Sequence, residues 1–367
     1  MTGLFCIPTV FVVEKEYEIL INTTVPGICF VKVDEEFFYC DRAGVLPSEV
    51  LLHKIRVPQK VLDAAKKYEV IFRPTKERKA YFSTFHPHET YEFPFRPLTK
   101  EEDIHIMHLS DVHQFFDDAV MASGYFGDDT DLFIFNGDLG EVECEEDFRT
   151  VCKFVGDVTK GQVPALFTRG NHDIRGHLSE RFPVYFPVEN GKTYYRFQVG
   201  CINGVILDCG EDKMDDLPNY DSTENVPEEI KGINRFHTYR QKQIEFLKQT
   251  ELDRKYKLAV CHICPVMTGF TPGKTNDIER EIYSQWNEQL EKLGIQYMLC
   301  GHIHRAQLLN PGDPASFLPH NYPVLFAMEW QEPNRFFAGA ITLNHNQSDV
   351  KFVDKDRNIA HEITVVY

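Results

Sequence analysis

Six short apolar runs recur along the second part of this chain, and five of them end on clusters of Asp, Asn, His and Gly. Ile104–Leu109 leads into Asp111-Val112-His113, and Leu132–Phe135 into Asn136-Gly137-Asp138. Ala165–Thr168 leads into Gly170-Asn171-His172-Asp173, and Lys257–Val260 into His262. Tyr297–Leu299 leads into Gly301-His302-Ile303-His304, while Val205–Leu207 is a sixth such run. Runs of this kind predict sheet strands buried on both faces. Between them lie helical stripes. Phe148, Val151, Cys152 and Val155 fall at helix spacing, as do Ile278, Ile282, Trp286, Leu290 and Leu293. Alternation of strand and helix predicts helices layered on a sheet. In parallel strands the carboxyl ends share one rim, where α/β proteins place ligands. Five segments far apart in sequence are therefore expected to converge there.

Residues 1–100 read differently. Tyr17–Thr23, Ile28–Val33, Glu36–Tyr39, Leu51–Val57, Tyr68–Phe72 and Ala80–Phe85 are β-prone, with turn signals such as Pro26-Gly27, Asp34-Glu35 and Arg73-Pro74 between several of them. They predict a small all-β, sandwich-like module. Pro58–Lys67 reads as a short helix, with Pro58 tolerated in its first turn. His86–Lys100, with three prolines, reads as the connection to a second unit at 101–367. The tail from Val324 to Tyr367 returns to strand-like runs that are expected to close the sheet.

The residue types after the strands suit transition metals, because Asp, Asn and His are N/O ligands for Mn, Fe or Zn. Two ions about 3.5–4 Å apart need one bridging carboxylate and further ligands on each side. Asp138, alone at its strand end, is the expected bridge. Asp111, His113 and His304 complete one ion, and Asn171, His262 and His302 the other. Two divalent ions bring four positive charges against the two anionic ligands, Asp111 and Asp138, so the cluster keeps a positive surplus that draws in phosphate. Coordination lowers the pKa of water from about 16 towards roughly 7 and yields a nucleophilic hydroxide. His172 is the expected acid for the leaving alkoxide, with Asp173 orienting its imidazole. Arg169 and Arg175 flank this turn and are each read either as a phosphate-binding guanidinium or as a salt-bridge partner.

As a set and in this order, the five blocks resemble the calcineurin-like metallophosphoesterases, whose pattern is Asp-x-His, Gly-Asp, Gly-Asn-His-Asp/Glu, a lone His and Gly-His-x-His. The resemblance covers residues 104 to about 345. It implies a four-layer α/β/β/α sandwich, a dinuclear metal centre and hydrolysis of phosphate mono- or diesters. Asp208-Cys209-Gly210-Glu211-Asp212-Lys213 and the stretch Phe236–Gln243 are also similar to a bacterial subgroup with an N-terminal sandwich. That layout resembles purple acid phosphatases, with two departures. Those enzymes have Gly where His113 stands, and a ligand Tyr where this chain has Glu141. Their iron-phenolate colour, acidic optimum and metal pair are therefore not carried over. The other class of function is a catalytically silent metal-binding scaffold for protein interaction.

Composition narrows the partners. The 367 residues are enough for a large core. A formal charge of -17 repels polyanions and argues against nucleic-acid backbone as a ligand, and it does not exclude a small phosphorylated substrate. No apolar run reaches the roughly 18–20 residues of a membrane span. The start of the chain has no basic leader, and its ten scattered cysteines suit a reducing cytosol. Cys261 and Cys264 read as core residues ahead of a zinc or redox pair. His105 and His108 are expected to be core or supporting residues, and His237 a cap or surface residue. The acidic interval Gly210–Gly232 is either a lid or an inert insertion.

Overall fold

The computed structural model describes residues 3–40, 44–113, 115–212, 215, 234–267, 279–331 and 335–367. Most of Gly210–Gly232 lies outside the described residues, and with it the choice between lid and insertion.

The chain builds two large sheets. In the first, Ile104–Leu109, Leu132–Asn136 and Ala165–Thr168 run parallel, with Ile106 opposite Leu132 and Ala165 opposite Phe133. In the second, Ile202–Leu207, Tyr256–Cys261, Tyr297–Cys300 and Val324–Phe326 run parallel. Side chains alternate across these strands. Ile104, Ile106, Leu132 and Ile134 point into one core with Tyr195, Phe197, Leu258, Val260 and Leu299 of the other sheet. Met107, Leu109, Phe133 and Phe135 point outward, onto Phe148, Val151, Cys152 and Val155 of the helix Glu145–Thr159. On the far side, Val205, Leu207, Ala259 and Cys261 pack on Ile282, Trp286 and Leu290 of the helix Arg280–Leu293. The result is the α/β/β/α layering that the family resemblance implies. Each buried Val, Leu, Ile, Phe or Met side chain among these contributes about 1.5–3 kcal/mol relative to exposure.

The helix Glu145–Thr159 has a legible start and stop. Glu145, Glu146 and Asp147 lie in its first turn, where the helix dipole favours negative charge. The Asp147 carboxylate also accepts the backbone N–H groups of Glu143 and Cys144. Lys160, at φ 55°, turns the chain out of the helix.

Hydrogen bonding runs across residue 100. Thr9–Val13 lies parallel to Ala165–Thr168, with Phe11 opposite Ala165, so the N-terminal strands extend the sheet that carries three of the motifs. Several expectations are corrected here. Tyr17–Thr23 and Ile28–Val33 are one strand, Glu16–Val33, which runs through Pro26-Gly27 with a register shift between Asn22 and Gly27. Ala80–Phe85 shrinks to Thr84–Phe85. The expected connection contains a strand, Glu89–Pro94, paired with Lys67–Glu77. The helix after Pro58 forms at Gln59–Ala65. The tail divides: Val324–Phe326 joins the second sheet, while Arg335–Leu343 pairs antiparallel with Ile104–Leu109. No helix among the described residues is long and apolar enough to cross a membrane. All ten cysteines are free, and Cys261 and Cys264 are buried core residues.

Candidate metal centre

The parallel strands deliver their carboxyl-terminal loops to a common rim, and backbone hydrogen bonds lace the loops together. Asp111 N–H donates to the Gly137 carbonyl at 3.0 Å, and His113 N–H to that of Asp138 at 3.2 Å. Gly301 N–H donates to the His262 carbonyl at 2.9 Å, and His302 N–H reaches the Asp111 carboxylate at 3.0 Å. His172 N–H donates to Asp138 Oδ1 at 2.7 Å. Two glycines permit this approach. A Cβ on Gly137, at φ +77°, would stand 2.7 Å from His262 Nδ1, and one on Gly170 2.6 Å from the Asp138 backbone nitrogen.

Backbone strain concentrates at the same place. Asp111, His113, Asp138, His302 and His304 all have positive φ, between 45° and 71°. Such conformations cost on the order of 1–3 kcal/mol each in non-glycine residues, and their clustering is a mark of functional sites.

The side chains form three overlapping groups whose nitrogen and oxygen atoms lie within 4.8 Å of one another: Asp111, His113 and His304; His113, Asp138 and His172; and Asp138, His262 and His302. His304 Nε2 is 3.1 Å from Asp111 Oδ1, and His262 Nε2 is 3.0 Å from Asp138 Oδ2. Asp138 thus belongs to two of the three groups, and His113 links it to Asp111 and His304. Asn171 is buried beside them, and its Oδ1 and the His113 Nε2 have no hydrogen-bond partner. Buried lone pairs left without a donor are costly unless something else takes them up. Together with the imidazole and carboxylate chemistry, this donor set fits a pair of transition-metal cations.

Supporting contacts fix the orientation of these side chains. His262 Nδ1 lies 2.6 Å from the Asn136 carbonyl, which holds the proton on that nitrogen and turns Nε2 towards the carboxylates. Ser110 Oγ bridges the same carbonyl and Asp111 Oδ2. Asn136 Nδ2 is 3.0 Å from His108 Nε2, and His108 Nδ1 is 3.0 Å from the Ala327 carbonyl, so His108 is a satisfied core residue as expected. Burial pulls the His262 imidazole down, but Asp138 and Asp111 outweigh it and raise its pKa to about 10. In return His262, despite burial, holds Asp138 well below the usual carboxylate range. His113 is lowered to about 4, chiefly by burial, and His172 is lowered for the same reason.

The residues expected to surround the ligands fall into different roles. The half-buried ring of His172 stands edge-on to His113, with centroids 4.7 Å apart. Asp173 does not reach that imidazole with its carboxylate. Its Oδ2 instead accepts the backbone N–H groups of Asp138, at 3.0 Å, and Gly170, at 2.7 Å. Burial and the neighbouring Asp138 push Asp173 up to about 7. Of the two readings for the arginines, the geometry favours salt bridges. Arg169 Nη2 is 2.7 Å from the fully buried Asp208, and Arg175 grips buried Glu211 through Nε and Nη2. Asp212 Oδ2 comes within 3.5 Å of His302 Nε2. His237 sits at the start of the helix Phe236–Lys248, with Nδ1 3.0 Å from Glu279, in a structural position.

Sequence reasoning left Asn136, Ser110, Arg240 and Trp330 without roles. Asn136 was visible inside its motif, but its carbonyl acts, and a carbonyl has no sequence signature. Trp330 is one of two tryptophans, which is the only signal it gives.

A family model of calcineurin-like phosphoesterases matches residues 104–306, more than half of the chain. The chain belongs to that family. Among solved structures, it is similar to purple acid phosphatase PPD1 from yellow lupin (Lupinus luteus) seeds. The TM-score is 0.58 at 10% identity, over 98% of this chain and 74% of that one. It is also similar to PhoD, with a TM-score of 0.54 at 9% identity, over all of this chain and 88% of that one. At such identities the likeness is one of fold. No curated protein matches the chain.

Proposed function

We propose that this calcineurin-like phosphoesterase is a metal-dependent hydrolase of small phosphate mono- or diesters, with Asp111, His113, Asp138, Asn171, His262, His302 and His304 as its metal ligands. The observation that carries the reading is one buried carboxylate, Asp138, grouped with His113 in one cluster and with His262 and His302 in another, while His113 is grouped in turn with Asp111 and His304. Two divalent or trivalent ions of Mn, Fe or Zn would supply Lewis acidity towards a phosphoryl oxygen and an acidified water.

The chain's own residues do the rest. Ser110 and the Asn136 carbonyl hold Asp111 and His262 in fixed orientations, which limits reorganisation during the reaction. Asp173 holds the two turns that present Asp138 and Asn171. His172 lies at the edge of the ligand set, partly accessible, and is the proposed donor of a proton to the leaving alkoxide. Arg175, half-buried against Glu211, is proposed to pre-orient that loop, with any phosphate contact requiring a partial release of its ion pair. The acidic exterior, at a formal charge of -17, supports a small substrate over a polyanion. For the chain's organisation we keep a β module at 1–100 and a catalytic unit at 101–367, the former extending the sheet of the latter.

A turnover screen of chromogenic mono- and diesters with Mn, Zn and Fe tests this reading. Cleavage of at least one class with a loaded enzyme is expected. Full metal loading without turnover of any ester would favour the silent scaffold instead.

A further inference from the structure

We infer that Trp330 is the positioning residue for one half of the ligand set, the trio Asp111, His113 and His304, and that it reports on occupancy of that half. The inference rests on the metal-centre reading above.

Trp330 lies in the strand Met328–Gln331, which pairs antiparallel with Arg335–Leu343, so its backbone is anchored in the first sheet. From there the one residue contacts all three members of the trio. Its indole is stacked on the His304 imidazole, with centroids 3.9 Å apart and 29° between the planes. It stands edge-on to His113 at 5.3 Å. Its Nε1–H donates to the Asp111 carbonyl at 3.1 Å, and its backbone N–H donates to the His304 carbonyl at 3.0 Å. Phe115 packs against the same ring, with centroids 5.3 Å apart.

These contacts answer a physical need. Asp111, His113 and His304 all sit at positive φ, and strained residues persist only where their surroundings over-determine them. The His304 side chain is about one-third exposed, so the protein must confine its ring from the open side. A stacked indole removes that ring's rotation and leaves Nε2 aimed at Asp111 Oδ1, 3.1 Å away. Among the described residues Trp330 makes no hydrogen bond or ring contact with the opposite trio, Asp138, His262 and His302. Its loss should therefore weaken one cation site and spare the other. Outer groups that orient metal ligands are worth roughly 10- to 100-fold in affinity.

The chain has two tryptophans, and the second, Trp286, is fully buried on the helix Arg280–Leu293, with Nε1–H donating to the Arg240 carbonyl. Only Trp330 stands against the ligand set, so a paramagnetic ion bound there should quench its emission.

The experiment titrates the full chain, first stripped with chelator, with Mn2+ and with Zn2+, following stoichiometry by calorimetry and tryptophan emission. Wild type should bind two ions and lose emission with Mn2+ as the trio fills. Trp330→Leu should keep one ion at wild-type affinity and bind the other roughly 10- to 100-fold more weakly. Trp330→Phe retains an aromatic face without the N–H. It should recover part of that loss and show no Mn2+ quenching, since only Trp286 remains. A Trp330→Leu protein that binds two ions as tightly as wild type overturns the inference and leaves the metal-centre reading intact. Equal weakening of both sites overturns the selectivity that the geometry requires. A wild-type chain that binds no metal overturns both. If Trp330→Leu does not fold, an unquenched wild type or a Trp330→Phe protein that still quenches is sufficient to reject the inference.

Discussion

Asp138 Oδ2 and His262 Nε2 stand 3.0 Å apart, and both side chains are almost wholly buried. Asp111 Oδ1 is 3.8 Å from the same nitrogen, so one imidazole faces two buried carboxylates. Removing one partner of a buried charge pair leaves the other uncompensated, at a cost of about 3–5 kcal/mol. Chelator-treated His262→Ala is therefore expected to unfold at clearly lower urea than chelator-treated wild type. An unchanged urea midpoint would show that these charges are not confined together.

Asp173 is a fastener of two turns. Asp173→Ala orphans the buried amides of Asp138 and Gly170 and should cost about 1–3 kcal/mol per amide, with a matching fall in metal affinity. Asp173→Asn keeps an acceptor oxygen and should retain most of both. If the two variants behave alike in metal titration and thermal unfolding, the carboxylate works in some other way.

Arg240 is a fully buried hub. Its guanidinium donates to the Cys209 carbonyl at 2.8 Å, to Glu279 at 3.0 Å and to the Glu211 carbonyl. Burial opposes the charge, but Tyr283, Glu279 and other neighbours keep the group protonated. Arg240→Met roughly preserves volume, leaves the buried Glu279 carboxylate with His237 as its remaining partner and strands two carbonyls. A loss of about 3–5 kcal/mol in urea unfolding is expected. A loss below 1 kcal/mol would mean that water replaces those partners.

His53 gives a pH signature away from the metal centre. It is 1% exposed, both ring nitrogens lack hydrogen-bond partners, and burial lowers its pKa from 6.5 to about 4. The unfolded chain takes up a proton at about 6.5 that the folded chain refuses until about 4. Stability is thus lost as pH falls through that window, by on the order of 3 kcal/mol from this residue. His108, lowered to about 4 chiefly by its burial, adds to the same acid limb. His53→Leu should flatten the stability–pH slope between these limits by about one proton. An unaltered slope would show that His53 is protonated in the fold.

The sequence is informative wherever local pattern and packing agree. The strands before the five motifs, and the stripes Phe148–Val155 and Ile282–Leu290, follow from periodicity, because one face of each element meets one core. Thr9–Val13 and Glu89–Pro94 escape notice because their partners lie far along the chain, and prolines disguise the second as a linker. Pro26-Gly27 reads as a turn, yet a register shift absorbs it within a single strand. At the site, ligand types are legible because each chemistry needs particular side chains. The roles of Asp173, Asn136 and Trp330 are not, since each is set by a backbone group or a ring brought from another loop.

The most direct test of the central claim is metal content measured beside phosphoesterase turnover, for wild type and Asp138→Asn prepared alike. Two transition-metal ions per wild-type chain are predicted, with at least one ion and nearly all turnover lost when Asp138 is replaced. An Asp138→Asn protein with full metal content and wild-type turnover would contradict the account.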